Sequence, residues 1–190
     1  LPQGAKVGTS SLRRAAQLLH RRGDLEVVSL RGNVDTRLRK LESEQLGAII
    51  LATAGLKRLG FENRITQIIS SKHVLPAIGQ GALGLEVRRD DEQTIGLIEF
   101  LNHEPTEVAV KAERAFLKKL EGGCQVPIAG IATLEGDAVH FTGMVAELDG
   151  TRLIKNDITG SKNQAEELGI TLAETLLDDG AGEILERIYG

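Results

Sequence analysis

The sequence predicts an α/β domain with a mainly parallel sheet, followed by a smaller α+β domain with a three-stranded antiparallel sheet. Over the first ~75 residues, short apolar runs alternate with amphipathic stretches, which is the pattern of β-α units in a parallel sheet. Residues 128–159 instead contain three strand-like runs separated by Glu135-Gly136-Asp137 and Asp149-Gly150. Turn sequences at these positions indicate an antiparallel meander.

The elements of the first part follow from apolar runs and helix caps. Ser10 and Ser11 precede an amphipathic stretch and can cap a helix. The apolar run Ala48–Ala52 is unbroken, which is typical of a strand covered on both faces. We therefore predict strands over Ala5–Thr9, Leu25–Leu30 and Ala48–Ala52, and helices over Leu12–Arg22, over Asp35–Ser43 and from near Thr53–Gly55.

The remaining elements alternate less regularly. Pro76 and several glycines predict that His73–Arg88 is an extended crossover or hinge leading to a strand. Thr106 is the expected N-cap of a helix that Gly122-Gly123 ends. The predicted elements are helices over Asp90–Asn102, Thr106–Leu120, Asn163–Asp178 and Gly182–Tyr189, and strands over Ile128–Leu134, Ala138–Leu148 and Thr151–Thr159.

Composition excludes several classes of protein. No run of about 20 apolar residues is present, so a membrane-spanning helix is not expected. The single cysteine, Cys124, excludes an internal disulfide and a multi-cysteine metal site. The four histidines show no metal-ligand spacing, and we expect no metal. A soluble, cytoplasmic protein is the expectation, which leaves open an organellar transit segment before Leu1.

Charge is distributed unevenly along the chain. Residues 1–90 hold 15 Lys and Arg against 8 Asp and Glu, whereas residues 91–190 hold 8 against 19. A basic half suggests an anionic ligand or nucleic acid, or simply a solvated basic face. Aromatic residues that could stack on bases make up only 3% of the chain, and the acidic half would repel phosphate. We therefore expect a small anion and no nucleic acid.

Five arginines follow the predicted strands of the first part. Arg13 and Arg14 begin the first helix, Arg31 and Arg37 follow the second strand, and Arg58 follows the third. Open α/β sheets bind ligands at the carboxyl ends of their strands. A cation at a helix start opposes the helix dipole, whereas an anion there satisfies both the arginine and the free N–H groups. The positions predict an anion site.

Cys124 lies between the paired glycines Gly122-Gly123 and Pro127. Glycines let the backbone turn sharply and leave space around the sulfur. An accessible nucleophile or attachment point is one interpretation. A buried, inert thiol is the other, because free cysteines are commonly buried.

Five motifs, in order, resemble porphobilinogen deaminases, also called hydroxymethylbilane synthases. They are Val7-Gly8-Thr9-Ser10-Ser11-Leu12-Arg13-Arg14, Leu30-Arg31-Gly32-Asn33-Val34-Asp35-Thr36-Arg37, Ala54-Gly55-Leu56-Lys57-Arg58-Leu59, Gly79-Gln80-Gly81-Ala82-Leu83 and Gly122-Gly123-Cys124. The resemblance covers essentially the whole chain. It implies a transferase of tetrapyrrole and heme biosynthesis that joins four porphobilinogen molecules head to tail, releases ammonia and gives hydroxymethylbilane.

The resemblance also implies a cofactor and its site. Cys124 would carry a dipyrromethane primer through a thioether. Carboxylates of primer, substrate and growing chain would be held by Ser11, Arg13, Arg14, Arg31, Arg37 and Arg58, with Thr9, Asn33 and Gln80 lining the same cleft. The family's acid/base aspartate precedes Leu1, so the catalytic residue is unknown in this chain and we expect the chain alone to be inactive.

The implied organisation has three parts. Residues 1–78 would be an N-terminally truncated domain 2 of periplasmic-binding-protein type. Residues 79–103 would be a crossover and a return segment of domain 1, and residues 104–190 would be domain 3 with the cofactor cysteine. The full-length protein is expected to be a monomer that binds porphobilinogen and no membrane. A non-enzymatic anion-binding or solute-sensing module of the same fold is the alternative, but it leaves Cys124 without a role.

Overall fold

The computed structural model describes residues 1–121, 123 and 126–189. Its N-terminal unit (residues 1–64) contains a parallel sheet of order β2-β1-β3, which confirms the predicted β-α pattern. The elements are β1 (Lys6–Gly8), α1 (Leu12–Arg21), β2 (Glu26–Val28), α2 (Val34–Ser43), β3 (Ala48–Ile49), α3 (Thr53–Arg58) and a 3-10 turn over Glu62–Arg64. The strands are shorter than predicted, whereas the first two helices end within one residue of the predicted positions.

Two helices of this unit begin with the side-chain caps that short polar residues provide. The Ser11 hydroxyl accepts the backbone N–H of Arg14 at 3.4 Å, as the sequence predicted. The Asn33 side-chain oxygen accepts the N–H of Thr36 at 2.8 Å. Both caps stand where a strand ends and a helix begins, so they fix the backbone at the carboxyl edge of the sheet.

The prediction that Ala48–Ala52 is covered on both faces is wrong. Residues 48–51 are only half-buried and Ala52 is exposed. Ala48 packs on one side against a small cluster built around Val7 and Leu25. All of residues 48–52 also border an open cleft, which accounts for their incomplete burial.

The connecting segment (residues 65–91) contains turns but no helix or strand. The prediction of a strand at the end of His73–Arg88 is therefore wrong. Leu83 and Leu85 are 82% and 62% exposed. A strand needs a neighbour for its backbone hydrogen bonds, and no described strand lies beside these residues. Beyond the segment, α4 (Glu92–Ile98) and a 3-10 turn (Glu99–Leu101) occupy the predicted helix Asp90–Asn102.

The C-terminal unit (residues 104–189) contains the predicted three-stranded meander, with antiparallel order β4-β5-β6. Its core joins the sheet to three helices, and the rings of Phe116 and Phe141 meet edge to face at 5.2 Å. The elements are α5 (Glu104–Lys119), β4 (Ile128–Glu135), β5 (Ala138–Ala146), β6 (Leu153–Ser161), a 3-10 turn (Lys162–Gln164), α6 (Ala165–Leu176), a wide turn (Leu177–Ala181) and α7 (Gly182–Tyr189).

Helix α5 begins two residues before the predicted position. Its N-cap is His103, and Pro105 lies in its first turn, where the missing N–H costs no helical bond. Thr106 is therefore inside the helix, and its hydroxyl is 2.8 Å from Nδ1 of His103. The prediction of Thr106 as N-cap is wrong. Pro105 is favourable in the first turn of a helix, and it allows α5 to begin at Glu104.

The two units meet along α1. Ala16 of α1 is fully buried in a cluster with Leu75 and Met144. The Gln17 side chain donates to the Leu75 carbonyl at 3.1 Å and accepts the Leu75 N–H at 2.7 Å. Helix α1 thus carries the N-terminal cap and arginines at one end and contacts the C-terminal unit along its length. No helix among the described residues is long and apolar enough to cross a membrane.

Candidate anion-binding cleft

A cleft of about 1380 Å³ lies between the N-terminal and C-terminal units. The first turn of α1 contributes Arg13 and Arg14, and residues 48–54 contribute β3 and the start of α3. Residues 79–82 of the connecting segment and the neighbouring parts of α5 and β4 complete the wall. The cleft therefore borders the carboxyl end of the parallel sheet, where the sequence predicted a ligand.

Arg13 is held in the cleft wall by two acceptors. Its Nη1 donates to the Leu75 carbonyl at 2.5 Å and its Nη2 donates to Oε1 of Gln80 at 3.3 Å. Burial and, to a lesser extent, the charge of Arg14 lower the pKa of Arg13 to about 10. The side chain remains a cation at neutral pH, and its position is fixed by the connecting segment.

Arg14 and Arg37 lie close enough for their charges to interact. Burial lowers the pKa of Arg14, and the nearby guanidinium of Arg37 adds to this lowering. Arg14 donates from Nη1 to the Ile50 carbonyl at 2.9 Å, and Arg37 donates from Nε to the Gly32 carbonyl at 2.7 Å. Cations brought together in this way repel each other, and an anionic ligand would relieve the repulsion.

The other predicted site residues are placed less centrally. Arg31 and Arg58 are exposed at the ends of β2 and α3, and neither they nor Arg37 border the cleft. Gln80 does border the cleft, and its Oε1 also accepts the N–H of Ala77 at 3.1 Å. The last three predicted residues are Thr9, Ser11 and Asn33, and they support the backbone at this edge. Ser11 and Asn33 cap helices, and the hydroxyl of buried Thr9 accepts the Ser11 N–H at 3.2 Å.

The predicted site arginines lack carboxylate partners among the described residues. Within the described part of the chain, no Asp or Glu oxygen lies within 4.0 Å of Arg13, Arg14, Arg31, Arg37 or Arg58. Elsewhere, by contrast, Arg22 pairs with Asp24 at 2.6 Å and Arg187 pairs with Glu147 at 2.9 Å. Guanidinium groups suit bidentate binding of carboxylates or phosphates, so these arginines can bind anions from outside the chain.

Glu113 of α5 is a cleft residue that the sequence patterns did not reveal. It is only 7% exposed, and its Oε1 and Oε2 accept the backbone N–H groups of Ala132 at 2.9 Å and Gly79 at 2.6 Å. Burial raises the pKa of this carboxyl group against the opposing effect of the two hydrogen bonds. One feature of the sequence could have indicated this role, because Glu113 is an acidic residue beside Ala112 and Phe116 on the apolar face of α5.

Cys124, the predicted attachment point, lies outside the described residues. The adjoining Gly123 is described, and its N–H donates to the Tyr189 hydroxyl at 3.2 Å. The same hydroxyl donates to the Glu121 carbonyl at 3.0 Å. Tyr189 of α7 thus ties down the backbone on the N-terminal side of the cysteine, a contact that the sequence did not reveal.

The described side chains that line the cleft can bind an anion but do not form a metal site. Within residues 1–121, 123 and 126–189, no three His, Cys, Asp or Glu side chains group as metal ligands would. The cleft lining contains the guanidinium groups of Arg13 and Arg14, which donate to oxygen, and the carboxylate of Glu113, whose two oxygens are occupied by backbone N–H groups.

Comparison with known proteins identifies the family. Residues 1–96 match the family model described as "Porphobilinogen deaminase, dipyromethane cofactor binding domain". Residues 108–178 match "Porphobilinogen deaminase, C-terminal domain". The chain belongs to the porphobilinogen deaminase family.

Curated relatives in this family come from several bacteria. The chain is 57% identical over 189 residues to porphobilinogen deaminase from Geobacter sulfurreducens, covering 100% of this chain and 59% of the relative. Identity to the protein from Geotalea uraniireducens is 54% with the same coverage. For Syntrophotalea carbinolica it is 58% over 188 residues, covering 99% of this chain and 60% of the relative. The chain therefore spans about three fifths of the length of these porphobilinogen deaminases.

Proposed function

We propose that this chain forms the greater part of an enzyme that joins four porphobilinogen molecules head to tail, with release of ammonia, to give hydroxymethylbilane. The observation that carries the proposal is the group of arginines without carboxylate partners, among the described residues, at the carboxyl edge of the parallel sheet. Each pyrrole of substrate and product brings two carboxylates. A growing chain therefore accumulates negative charge, which needs several fixed cations.

The donor set fits a dipyrromethane cofactor, whose two pyrroles bring four carboxylates. The Arg13–Arg14–Arg37 group has unbalanced positive charge of the kind that such a ligand neutralises. When bound, the cofactor supplies a primer to which substrate units are added. The residues proposed to hold its carboxylates, and those of substrate, are Ser11, Arg13, Arg14, Arg31, Arg37 and Arg58, with Thr9, Asn33 and Gln80 beside them and Cys124 as the thioether anchor.

The two helix-capping residues, Ser11 and Asn33, cap through acceptor atoms and keep their hydrogen-bond donors available. Ser11 uses a lone pair to accept the Arg14 N–H, so its hydroxyl proton remains available for a carboxylate oxygen. Asn33 caps α2 through Oδ1, which leaves its NH₂ group to donate. The carbonyls of Leu75 and Ile50 orient Arg13 and Arg14 without neutralising them. These residues bind and position anions, and we assign none of them a proton-transfer role.

The proposed organisation has an α/β domain of periplasmic-binding-protein type over residues 1–78. A crossover and return segment over 79–103 would link it to an α+β domain over 104–190. Two observations support the separation of the first and last of these domains. The two sheets have separate hydrophobic clusters, and the two family models match on either side of residues 97–107. The acid/base aspartate would belong to chain preceding these domains, so we expect the 190 residues alone to be inactive, and turnover of porphobilinogen by the purified chain would contradict this.

Intact mass spectrometry of the full-length protein tests the proposed function. We expect a mass excess of two pyrrole units, and we expect it to be lost in Cys124→Ser together with activity. An unmodified thiol in an otherwise intact protein would favour a non-enzymatic anion-binding module. An adduct that persists in Cys124→Ser would show that another residue is the anchor. Ser71→Ala, a similarly small change in the connecting segment away from the proposed anchor, is the control and should keep both adduct and activity.

A further inference from the structure

A second, smaller cavity of about 330 Å³ lies on the C-terminal half of α1. We call it the notch, and define it by His20 and Arg21 of α1, Lys72 and His73 of the connecting segment, and Lys155 of β6. Arg21 and His73 also border the large cleft, whereas His20, Lys72 and Lys155 border the notch alone. The notch is thus a neighbour of the cleft with its own set of basic residues, contributed by both units.

The basic side chains of the notch are not balanced by acidic ones. Its described lining contains no Asp or Glu. In the part of the chain that the structure describes, no carboxylate lies within 4.0 Å of Arg21, Lys72 or Lys155. Lysines elsewhere on the C-terminal unit do form such pairs, including Lys119 with Glu174 at 2.7 Å. The notch therefore concentrates positive charge without an internal counter-charge, as the arginine edge of the cleft does.

Backbone carbonyls hold two side chains of the notch, Arg21 and His20, in place. Arg21 donates from Nε to the His73 carbonyl at 3.1 Å and from Nη2 to the Lys72 carbonyl at 3.0 Å, so its Nη1 is left to donate elsewhere. Nδ1 of His20 is 2.9 Å from the Gly150 carbonyl, which can only accept. Nδ1 of His20 therefore carries a proton.

The floor of the notch is apolar, and hydrogen bonds fix the position of its backbone at Leu75. Leu75 and Met144 are 4% and 1% exposed, and half-buried Leu153 lies beside them. The buried Gln17 amide fixes the Leu75 backbone through hydrogen bonds in both directions. A volume near 300 Å³ is at the lower end for small-molecule sites, which typically combine an apolar lining with a few placed polar groups.

We propose that the notch binds a small organic anion that carries two or more carboxylate or phosphate groups on a short apolar body. The apolar body would cover the floor, and Arg21, Lys72 and Lys155 would receive the anionic groups. Such a ligand would contact both the N-terminal and the C-terminal unit. The site is separate from the proposed deaminase chemistry, and its test does not depend on that chemistry.

Benzene-1,3,5-tricarboxylate is a suitable probe, with the neutral triamide as its uncharged counterpart. Met144 forms part of the floor, so its methyl signal in methionine-labelled full-length protein reports on the notch itself, and Met144→Leu identifies that signal. We expect the tricarboxylate to shift the Met144 signal saturably and the triamide to leave it unchanged. In Lys72→Ala/Lys155→Ala, the concentration for half-saturation should rise at least tenfold.

Lys118→Ala is the matched control, because Lys118 is an exposed lysine of α5 outside the notch. It should leave the titration unchanged. A Met144 signal that does not move with the tricarboxylate, or that moves equally in the double variant, would overturn the proposal. Binding at the cleft alone would leave the Met144 signal unshifted, and that result also counts against the notch.

Discussion

Glu113 accepts the backbone N–H of Gly79 at 2.6 Å, so a buried carboxylate of the C-terminal unit holds the turn that precedes Gln80. Its other oxygen accepts the N–H of Ala132 in β4. Gln80 in turn accepts from Arg13 at 3.3 Å. A chain of hydrogen bonds therefore runs from the sheet of the C-terminal unit to an arginine of the cleft.

Glu113→Gln should destabilise the protein. The amide has only one oxygen, so either the Gly79 or the Ala132 N–H would face an NH₂ group and lose its acceptor. Leaving a buried donor unsatisfied costs about 1–3 kcal/mol, which urea unfolding can measure. Glu186→Gln is the control, because Glu186 is exposed on α7. Equal stability of the two variants would mean that the turn does not depend on Glu113.

The effect of Glu113→Gln should also depend on pH. Burial raises the pKa of Glu113 in the folded chain above its value in the unfolded chain. The folded state therefore retains the proton to higher pH, and the contribution of Glu113 to stability declines as pH rises through the interval between the two values. The loss of unfolding free energy in Glu113→Gln should be larger near the ordinary glutamate pKa of about 4.3 than at neutral pH. A loss that is constant across this range would contradict the raised pKa.

Arg31→Leu should separate binding from folding. Arg31 is exposed and is not part of any ion pair among the described residues. Its replacement should change the free energy of unfolding by no more than about 0.5 kcal/mol. Cofactor incorporation or turnover in the full-length protein should fall about tenfold or more, because one charge-assisted carboxylate contact is lost. Arg114→Leu, an exposed arginine of α5, should affect neither property, and an equal effect of both variants on turnover would refute a specific role for Arg31.

Arg13→Leu should reduce both the stability of the fold and the binding of anions. Unlike Arg31, Arg13 is half-buried and donates to the Leu75 carbonyl and to Oε1 of Gln80. Each of these oxygens also accepts a second donor, so Arg13→Leu removes one of the two hydrogen bonds at each oxygen. We expect a stability loss of about 1–3 kcal/mol in addition to weaker anion binding. Arg13→Lys keeps the charge but not the paired donors, and it should recover binding only in part. A variant with wild-type Tm would show that the Leu75 and Gln80 contacts add nothing to folding.

The sequence predicted those parts of the fold that are determined by residues close to one another in the chain. The Ser11 cap, the parallel β-α units and the meander with its turns are set by periodicity and turn chemistry within a few residues. The half-burial of residues 48–51 depends instead on the adjoining cleft. The role of Glu113 depends on N–H groups 19 and 34 positions away, which no local pattern reveals.

Gly150 provides the sharpest test of how the two units are joined. Its φ of +73° is in the left-handed region, and a Cβ there would lie 2.5 Å from both the Ala16 carbonyl oxygen and the His20 nitrogen. Gly136 has a similar φ of +62°, but a Cβ at that position would have no neighbouring atom within 4 Å. Gly136→Ala should therefore cost only the backbone strain, about 1–2 kcal/mol.

Gly150→Ala should cost the same strain and, in addition, force the β5–β6 turn away from α1. That movement would break the contact between His20 and the Gly150 carbonyl and loosen the cluster around Ala16. We expect Gly150→Ala to lose at least about 1 kcal/mol more than Gly136→Ala in urea unfolding, since overpacking typically costs about 1–3 kcal/mol. Equal losses would mean that the turn can separate from α1 without cost, and that the two units are joined mainly through Glu113 and the connecting segment.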